Sequence, residues 1–224
     1  MSAPAVLFDL DGTLLDTAPD LVGAVNELRH EHGLDTLPRS VLAPMCSYGA
    51  RGMLERGLDL RPGDNGYEAT YHAFIDRYQA RLTRETAPYP GIRALITELV
   101  ERGWHWGVVT NKAEALAVPL MQTMGFEPPP GCVVGGDSAH APKPDPAPIE
   151  LGLAHLGASA AGSIYVGDSA RDMQAGRAAK LHTIGAAYGY IPADEDPATW
   201  QSNTTVTNAA DIESAINELA PTES

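Results

Sequence analysis

The sequence predicts an α/β fold in which a doubly wound parallel sheet forms the core and an α-helical cap domain is inserted. Three observations support this prediction: short apolar segments that stop at small or polar residues, helical patterns between those segments, and one long helical stretch without a strand. Strands that alternate with helices are typical of a parallel sheet covered by helices. The 224 residues, of which 44% are hydrophobic, suffice for one buried core and a modest insertion.

Four short apolar segments are predicted to be buried parallel strands. Each stops where small or polar residues begin, as strands do at the ligand-binding edge of an α/β sheet. In chain order they are residues 5–8, 106–109, 132–134 and 164–166. Helices are predicted at residues 92–100, 116–124, 149–156, 171–179 and 211–219. This order indicates a Rossmann-like core whose polar strand ends gather at one edge of the sheet.

The stretch between residues 19 and 87 interrupts this alternation, because it carries helical patterns with no buried strand between them. Pro19 suits a first helical turn, and apolar residues recur at helical spacing from Tyr67 to Leu82. Core packing is the main interpretation of these aromatic residues, and stacking on a substrate is the alternative. The predicted domains are a core of residues 1–18 and 88–224 and a helical cap of residues 19–87.

The charge and the cysteines restrict the partners and the compartment. A formal net charge of −14 repels nucleic acid and anionic membrane surfaces, so we expect neither as a partner. Cys46 and Cys132 lie far apart without metal-binding spacing, which favours a reducing cytoplasm. No export signal and no apolar run of membrane-spanning length is evident in the sequence. We therefore expect a cytoplasmic protein, either a monomer or a homodimer.

Asp9 and Asp11 follow the first predicted strand, where extended backbone directs both carboxylates out of the sheet edge toward one pocket. Two carboxylates so close repel each other unless a cation or a shared proton relieves the repulsion. Mg²⁺ fits, because it prefers hard oxygen ligands. A calcium loop is disfavoured, since Leu14 and Asp20 stand where its glycine and glutamate belong. A purely structural acidic turn is the other alternative.

A second acidic segment follows the fourth predicted strand. Gly167 forms the turn, Asp168 follows it, and Asp172 lies in the predicted start of the next helix. Parallel strands end at the same sheet edge, so Asp168 is expected to complete a metal site there with Asp9 and Asp11.

Two further segments are candidates for binding phosphate. Thr110 and Asn111 end a predicted strand, where a hydroxyl and backbone N–H groups can bind phosphate oxygens, although such a threonine ordinarily forms a turn. Lys143 lies in a proline-containing segment before a predicted helix, and the restricted backbone there can fix its ammonium group. A solvated surface lysine is the ordinary alternative.

Taken together, these motifs resemble those of the haloacid dehalogenase superfamily, in its phosphatase branch with a helical cap after the first motif. The resemblance covers nearly the whole chain and rests on four motifs in the family's order, which are residues 9–13, Thr110, Lys143 and residues 167–172. Dehalogenases of this superfamily lack an acid at the position of Asp11. The resemblance therefore implies phosphoryl transfer from a small-molecule phosphate ester.

The same resemblance implies roles for the motif residues. Asp9 would attack phosphorus to form an aspartyl-phosphate, while Asp11 would protonate the leaving oxygen and later accept a proton from water. Mg²⁺ would be held by Asp9, Asp11 through its backbone carbonyl, and Asp168. Asp172 would orient these ligands or steady Lys143. The phosphoryl oxygens would be held by Thr110, Asn111 and Lys143.

The cap is expected to select the substrate. Gly49 lies between two predicted cap helices and can bring its backbone near a substrate. Nearby Arg51 can pair with a substrate carboxylate, and a salt bridge within the cap is its alternative. Residues 16–21 are similar to phosphoglycolate phosphatases. Residues 106–112, 143–146 and 188–191 look more like N-acetylmuramic acid 6-phosphate phosphatases. Both substrates carry a carboxylate.

Two other functions remain open from the sequence. A phosphosugar mutase of the same fold would keep all the core motifs and differ in the cap. A non-catalytic metal-binding interaction module is the alternative from another class. The combination of Asp9, Asp11, Lys143 and Asp168 disfavours that module, since it has no need for all four residues together.

Overall fold

The computed structural model describes residues 3–220, and its strands define two sheets. The strands are β1 (Ala5–Phe8), β2 (Leu15–Asp16), β3 (Ala87–Pro88), β4 (His105–Val109), β5 (Val133–Val134), β6 (Ile164–Gly167), β7 (His182–Ala186) and β8 (Thr204–Val206). Six of them form a parallel sheet in the order β5-β4-β1-β6-β7-β8. The other two, β2 and β3, form an antiparallel pair.

The helices follow the strands in the order expected of a doubly wound fold. They are α1 (Ala18–Glu31), α2 (Arg39–Leu42), α3 (Gly49–Leu58), α4 (Tyr67–Arg81), α5 (Ile92–Glu101), α6 (Glu114–Met124), α7 (Ala147–Leu156), α8 (Ala170–Ala178) and α9 (Ile212–Leu219). Short 3-10 helices occupy Ala43–Tyr48, Pro197–Thr199 and Ala209–Asp211. The four predicted strands and the five predicted core helices are present, each end within two residues of its predicted position. The α/β fold class is confirmed.

The first strand lies inside the sheet between β4 and β6, and all four of its side chains are buried. Val6 and Phe8 pack into an apolar cluster with α5, α6 and α9. Ala5 and Leu7 point to the opposite face and pack with α7 and α8. Successive side chains of a strand alternate between its faces, so this apolar strand requires helices on both sides.

The helices α1 to α4 share a separate apolar cluster, which includes the buried Phe74 and Tyr78. The antiparallel pair of β2 and β3 lies where the chain enters and leaves these helices. Core packing, the main interpretation of the aromatic residues in α4, agrees with this burial. The exact limits of the cap at residues 19 and 87 stay a prediction.

The helical cluster covers the edge of the sheet at which β1, β4 and β6 end. A cavity of about 290 Å³ lies between them, lined by residues that follow these strands and by residues of α1, α4 and Ala43–Tyr48. Among residues 3–220, no helix combines the length and the apolar character needed to cross a membrane. The fold therefore positions one cavity over the polar strand ends.

Candidate active site

Three aspartates converge at the carboxyl edge of the sheet. Asp9 follows β1 and donates its backbone N–H to the carbonyl of Val166 in the neighbouring β6 at 2.8 Å. Asp168 directly follows β6, and Asp172 lies in the first turn of α8. One carboxylate oxygen from each of Asp9, Asp168 and Asp172 lies within 4.8 Å of the others. Adjacent parallel strands thus bring together acids that are more than 150 residues apart in sequence.

Burial makes the negative charges of this cluster unfavourable. Burial raises the pKa of Asp9 to about 6, although the Lys143 ammonium opposes the shift and Asp172 adds to it. Burial and the charges of Asp9 and Asp172 also raise the pKa of Asp168 well above its ordinary value. Carboxylates arranged in this way gain from a cation that compensates their charge.

Lys143 is the basic residue in contact with the cluster. Its Nζ lies 2.9 Å from Asp9 Oδ1 and 2.7 Å from Asp172 Oδ1, and it also contacts the carbonyl of Val109 at 3.0 Å. Burial alone would lower the pKa of Lys143, but the charges of Asp172 and Asp9 raise it instead. Lys143 therefore carries a fixed positive charge beside Asp9.

Asn111 fixes the backbone of Lys143. Its side-chain amide donates to the Lys143 carbonyl and accepts from the Lys143 N–H, both at 2.9 Å. These bonds use the Asn111 amide oxygen and one of its two amide N–H groups, so a contact from Asn111 to phosphate would come from the other amide N–H or from its backbone N–H. Thr110 is buried, lines the cavity, and accepts the N–H of Lys112 at 3.2 Å. The phosphate-binding roles of Thr110 and Asn111 stay predictions.

The Asp11 side chain lies beside the group formed by Asp9, Asp168 and Asp172 rather than within it. Thr17 Oγ1 donates to Asp11 Oδ1 at 2.6 Å, and Lys112 Nζ contacts the two Asp11 oxygens at 3.0 and 3.1 Å. Lys112 also lies 4.5 Å from the centroid of the Tyr78 ring. Thr17 and Lys112 therefore hold the Asp11 side chain in place. The metal contact through the Asp11 backbone carbonyl stays a prediction.

Sequence reasoning missed Lys112 as a site residue. Burial alone would lower the pKa of Lys112, but the charge of the Asp11 carboxylate opposes burial, and the pKa is raised above its ordinary value. The available signal was its position directly after Thr110 and Asn111. Tyr190 was missed as well, although its N–H donates to Asp168 Oδ2 at 2.7 Å.

Close packing around Asp168 requires a glycine in the first motif. Gly12 has a φ of 83°, and a Cβ there would lie 2.1 Å from Asp168 Oδ2. A side chain at this position would displace the carboxylate. The glycine that follows Asp11 is thus explained by the approach of β6 and its acidic turn to the first motif.

The acidic group fits a magnesium ion. Asp9, Asp168 and Asp172 supply hard oxygen atoms in a small buried space, and among residues 3–220 Lys143 is their one contacting side-chain cation. Three carboxylates against one ammonium leave a net negative charge. Mg²⁺ prefers such oxygen ligands and commonly retains room for water and a substrate phosphate.

The cap wall of the cavity contains both predicted and unpredicted residues. Gly49, with a φ of 60°, lines the cavity after the 3-10 helix Ala43–Tyr48. Arg51 is exposed and lines an adjoining groove instead of the cavity itself. Arg171, which was not predicted, lines both spaces. The substrate-binding roles of Gly49 and Arg51 stay predictions.

Comparison with known proteins identifies similar sequences and a similar fold. The sequence profile described as haloacid dehalogenase-like hydrolase matches residues 6–186. A phosphoglycolate phosphatase of Xanthomonas campestris is 38% identical over 90% of this chain and 91% of its own length. An N-acetylmuramic acid 6-phosphate phosphatase of Pseudomonas aeruginosa is 36% identical over 95% and 94% of the two chains. The crystal structure of a predicted phosphoglycolate phosphatase from Haemophilus somnus superposes with a TM-score of 0.83 at 24% identity, covering 96% of this chain and 98% of that one.

Proposed function

The chain belongs to the haloacid dehalogenase-like hydrolase family, and from this premise we propose that it is a Mg²⁺-dependent phosphatase acting on a small phosphate monoester that carries a carboxylate. N-acetylmuramic acid 6-phosphate and 2-phosphoglycolate are the proposed substrates. The observation that carries the proposal is the convergence of Asp9, Asp168 and Asp172 with Lys143 beneath one cavity.

In the first step the Asp9 carboxylate attacks phosphorus, and the bond between phosphorus and the ester oxygen breaks. This yields an aspartyl-phosphate and an alcohol. Burial to 9% exposure and the contact with Lys143 hold the nucleophile in one position and keep water from it. At neutral pH a carboxylate with a pKa of about 6 is mostly ionised and able to attack.

Asp11 is the proposed proton donor and acceptor. It gives its proton to the leaving ester oxygen, and in the second step it takes a proton from the water that attacks the aspartyl-phosphate. Inorganic phosphate is then released and Asp9 is restored. Thr17 and Lys112 hold the Asp11 side chain toward the cavity, which supports this assignment.

Charge on the phosphoryl oxygens requires positive compensation in this acidic protein. Bound Mg²⁺ would neutralise phosphoryl charge, and Asp9, Asp168 and the Asp11 backbone carbonyl are its proposed ligands, with Asp172 orienting Lys143. Lys143 and Thr110 are the proposed contacts of the chain to the transferring group. The cytoplasmic location and the monomeric or homodimeric state remain predictions from the sequence.

The proposal is tested by measuring phosphate release from purified protein. Hydrolysis of N-acetylmuramic acid 6-phosphate and 2-phosphoglycolate is expected with Mg²⁺ and is expected to stop when a chelator removes the ion. Release that persists in the chelator would contradict metal dependence. A second assay supplies a hexose 1-phosphate together with its bisphosphate and tests for a mutase. Isomerisation of the sugar phosphate without release of free phosphate would identify one.

A further inference from the structure

Arg171 connects the catalytic edge of the core to the cap. It lies at the beginning of α8, three residues after Asp168, and lines the cavity. Its Nη2 donates to the carbonyl of Ser47 in the cap, and its guanidinium lies 5.8 Å from the centroid of the Tyr48 ring. The side chain thus links the beginning of α8 to the cap segment at the wall of the cavity.

The charges of the cavity set Arg171 apart from the two lysines. The cationic side chains of its lining are Lys112, Lys143 and Arg171. Lys143 is paired with Asp9 and Asp172, and Lys112 is paired with Asp11. Within residues 3–220, by contrast, no carboxylate lies within 4.0 Å of the Arg171 guanidinium, whose partners are a carbonyl and an aromatic ring. Arg171 is therefore the cavity cation whose charge is available to a ligand.

Within the described residues, most N–H donors of the Arg171 guanidinium are not used in hydrogen bonds. It carries five N–H groups in a planar fork, which matches the two oxygens of a carboxylate. Within the described part of the chain, Arg171 donates to the Ser47 carbonyl alone. That bond and the Tyr48 ring restrict how the fork turns. A carboxylate entering the cavity would meet a donor that is already oriented.

We propose that Arg171, supported by Tyr48, forms a carboxylate-binding subsite that selects acidic phosphate esters. The inference rests on the proposed phosphatase function, because the ester is placed with its phosphate at Asp9. It gives to Arg171 the role predicted from the sequence for Arg51, which lines the adjoining groove. The class of substrate is a phosphate monoester whose carboxylate extends from the reacting phosphate toward the cap.

The experiment compares kcat/KM for matched pairs of esters that differ in the carboxylate. N-acetylmuramic acid 6-phosphate is paired with N-acetylglucosamine 6-phosphate, which lacks the lactyl group, and 2-phosphoglycolate is paired with 2-hydroxyethyl phosphate. The proteins are the wild type, Arg171→Ala, Arg171→Lys and, for the residue predicted from the sequence, Arg51→Ala. Circular dichroism and thermal unfolding establish that each variant is folded.

The wild type is expected to prefer the acidic member of each pair. Arg171→Ala should lower kcat/KM for the acids by roughly 10- to 100-fold, as expected for a hydrogen-bonded charged pair, and leave the neutral esters unchanged. Arg171→Lys keeps the charge without the fork and should recover part of the preference. Arg51→Ala should keep the whole preference.

Different failures identify different errors. Equal loss on both members of a pair after Arg171→Ala would mean that the residue only holds the cap, and it would overturn the subsite. Loss of the preference in Arg51→Ala instead of Arg171→Ala would do the same. If Arg171→Ala does not fold, an unaltered preference in Arg171→Lys overturns the requirement for the fork. A wild type that releases no phosphate from any ester would contradict the proposed function itself.

Discussion

The sheet-edge wall and the cap wall of the cavity differ in the burial and in the polar contacts of their side chains. At the sheet edge, Asp9, Lys143, Asp168 and Asp172 are at most 9% exposed, and Lys143 alone has polar contacts with four other residues. On the cap wall, Tyr48 is 40% exposed, and within the described residues the Arg171 side chain beside it makes one hydrogen bond, to the carbonyl of Ser47. The chemical groups are therefore held rigidly, whereas the groups proposed to select the substrate rest on few contacts.

This difference separates the reaction from substrate choice. Breaking a buried charge network is costly because it leaves charges unpaired in a dry environment, whereas exposed contacts contribute little to stability. Changes at the sheet edge should therefore affect turnover of every ester. Changes on the cap wall should alter the preference among esters and leave the fold intact.

The largest effect is expected from Asp9→Asn, which removes the nucleophile. Turnover should fall by roughly 10⁴-fold or more, because the covalent step is lost. Thermal unfolding in a chelator should show no loss of stability, since the neutral amide replaces a carboxylate that burial disfavours. Asp76→Asn, on the exposed side of α4, is the matched control and should retain full activity. Substantial turnover by Asp9→Asn would contradict the covalent mechanism.

Lys143→Met should damage both activity and stability. Asp9 and Asp172 would lose their buried partner, which is expected to lower the free energy of unfolding by about 3–5 kcal/mol. Urea unfolding measures this loss, with phosphate release measured in parallel. The exposed Lys180 provides the control Lys180→Met, which should change neither quantity. A stable and active Lys143→Met protein would mean that the sheet edge does not depend on its ion pairs.

Asp168→Asn is expected to remove the response to magnesium without harming the metal-free fold. In the wild type, Mg²⁺ at a hundredfold excess over its Kd should add about 2.7 kcal/mol to the free energy of unfolding. The variant should lose this gain and should be no less stable than the wild type in a chelator, because burial raises the pKa of Asp168. Thermal unfolding with and without Mg²⁺ tests both statements. An undiminished metal response would place the ion elsewhere.

Lys112→Met should have the smallest effect on turnover, since it acts through Asp11. Loss of the 3.0 Å contact should lower kcat/KM for alkyl phosphates by roughly tenfold, because this constant reports the first step and their leaving oxygen needs a proton there. The kcat/KM for p-nitrophenyl phosphate should change little, as its leaving group departs without protonation. An equal loss on both classes of ester would indicate a structural role for Lys112 and not the positioning of Asp11.

The same contrast explains what the sequence was able to predict. Apolar segments followed by acids, such as residues 5–11 and 164–168, carry both the strand and its polar end, so the sheet edge was predictable. The strands β7 and β8 were missed because Thr183, Gly185 and Thr204 interrupt any apolar run. Their strand pairing depends on neighbours in the sheet, which lie elsewhere in the sequence.

The cap wall was harder to predict for a different reason. Residues 51 and 171 are both arginines, and the sequence around each of them does not show which one lines the cavity. The answer depends on how the segment Ala43–Tyr48 lies against the start of α8, as the bond from Arg171 to Ser47 shows. The role of Lys112 likewise depends on its contact with Asp11, which is 101 residues away in sequence.

Chemical trapping of the covalent intermediate tests the central claim most directly. Protein quenched during turnover and treated with borohydride should have its aspartyl-phosphate reduced to homoserine, and peptide mass spectrometry should find homoserine at position 9 alone. Reduction at another aspartate, or active protein in which Asp9 always remains unmodified, would contradict the account.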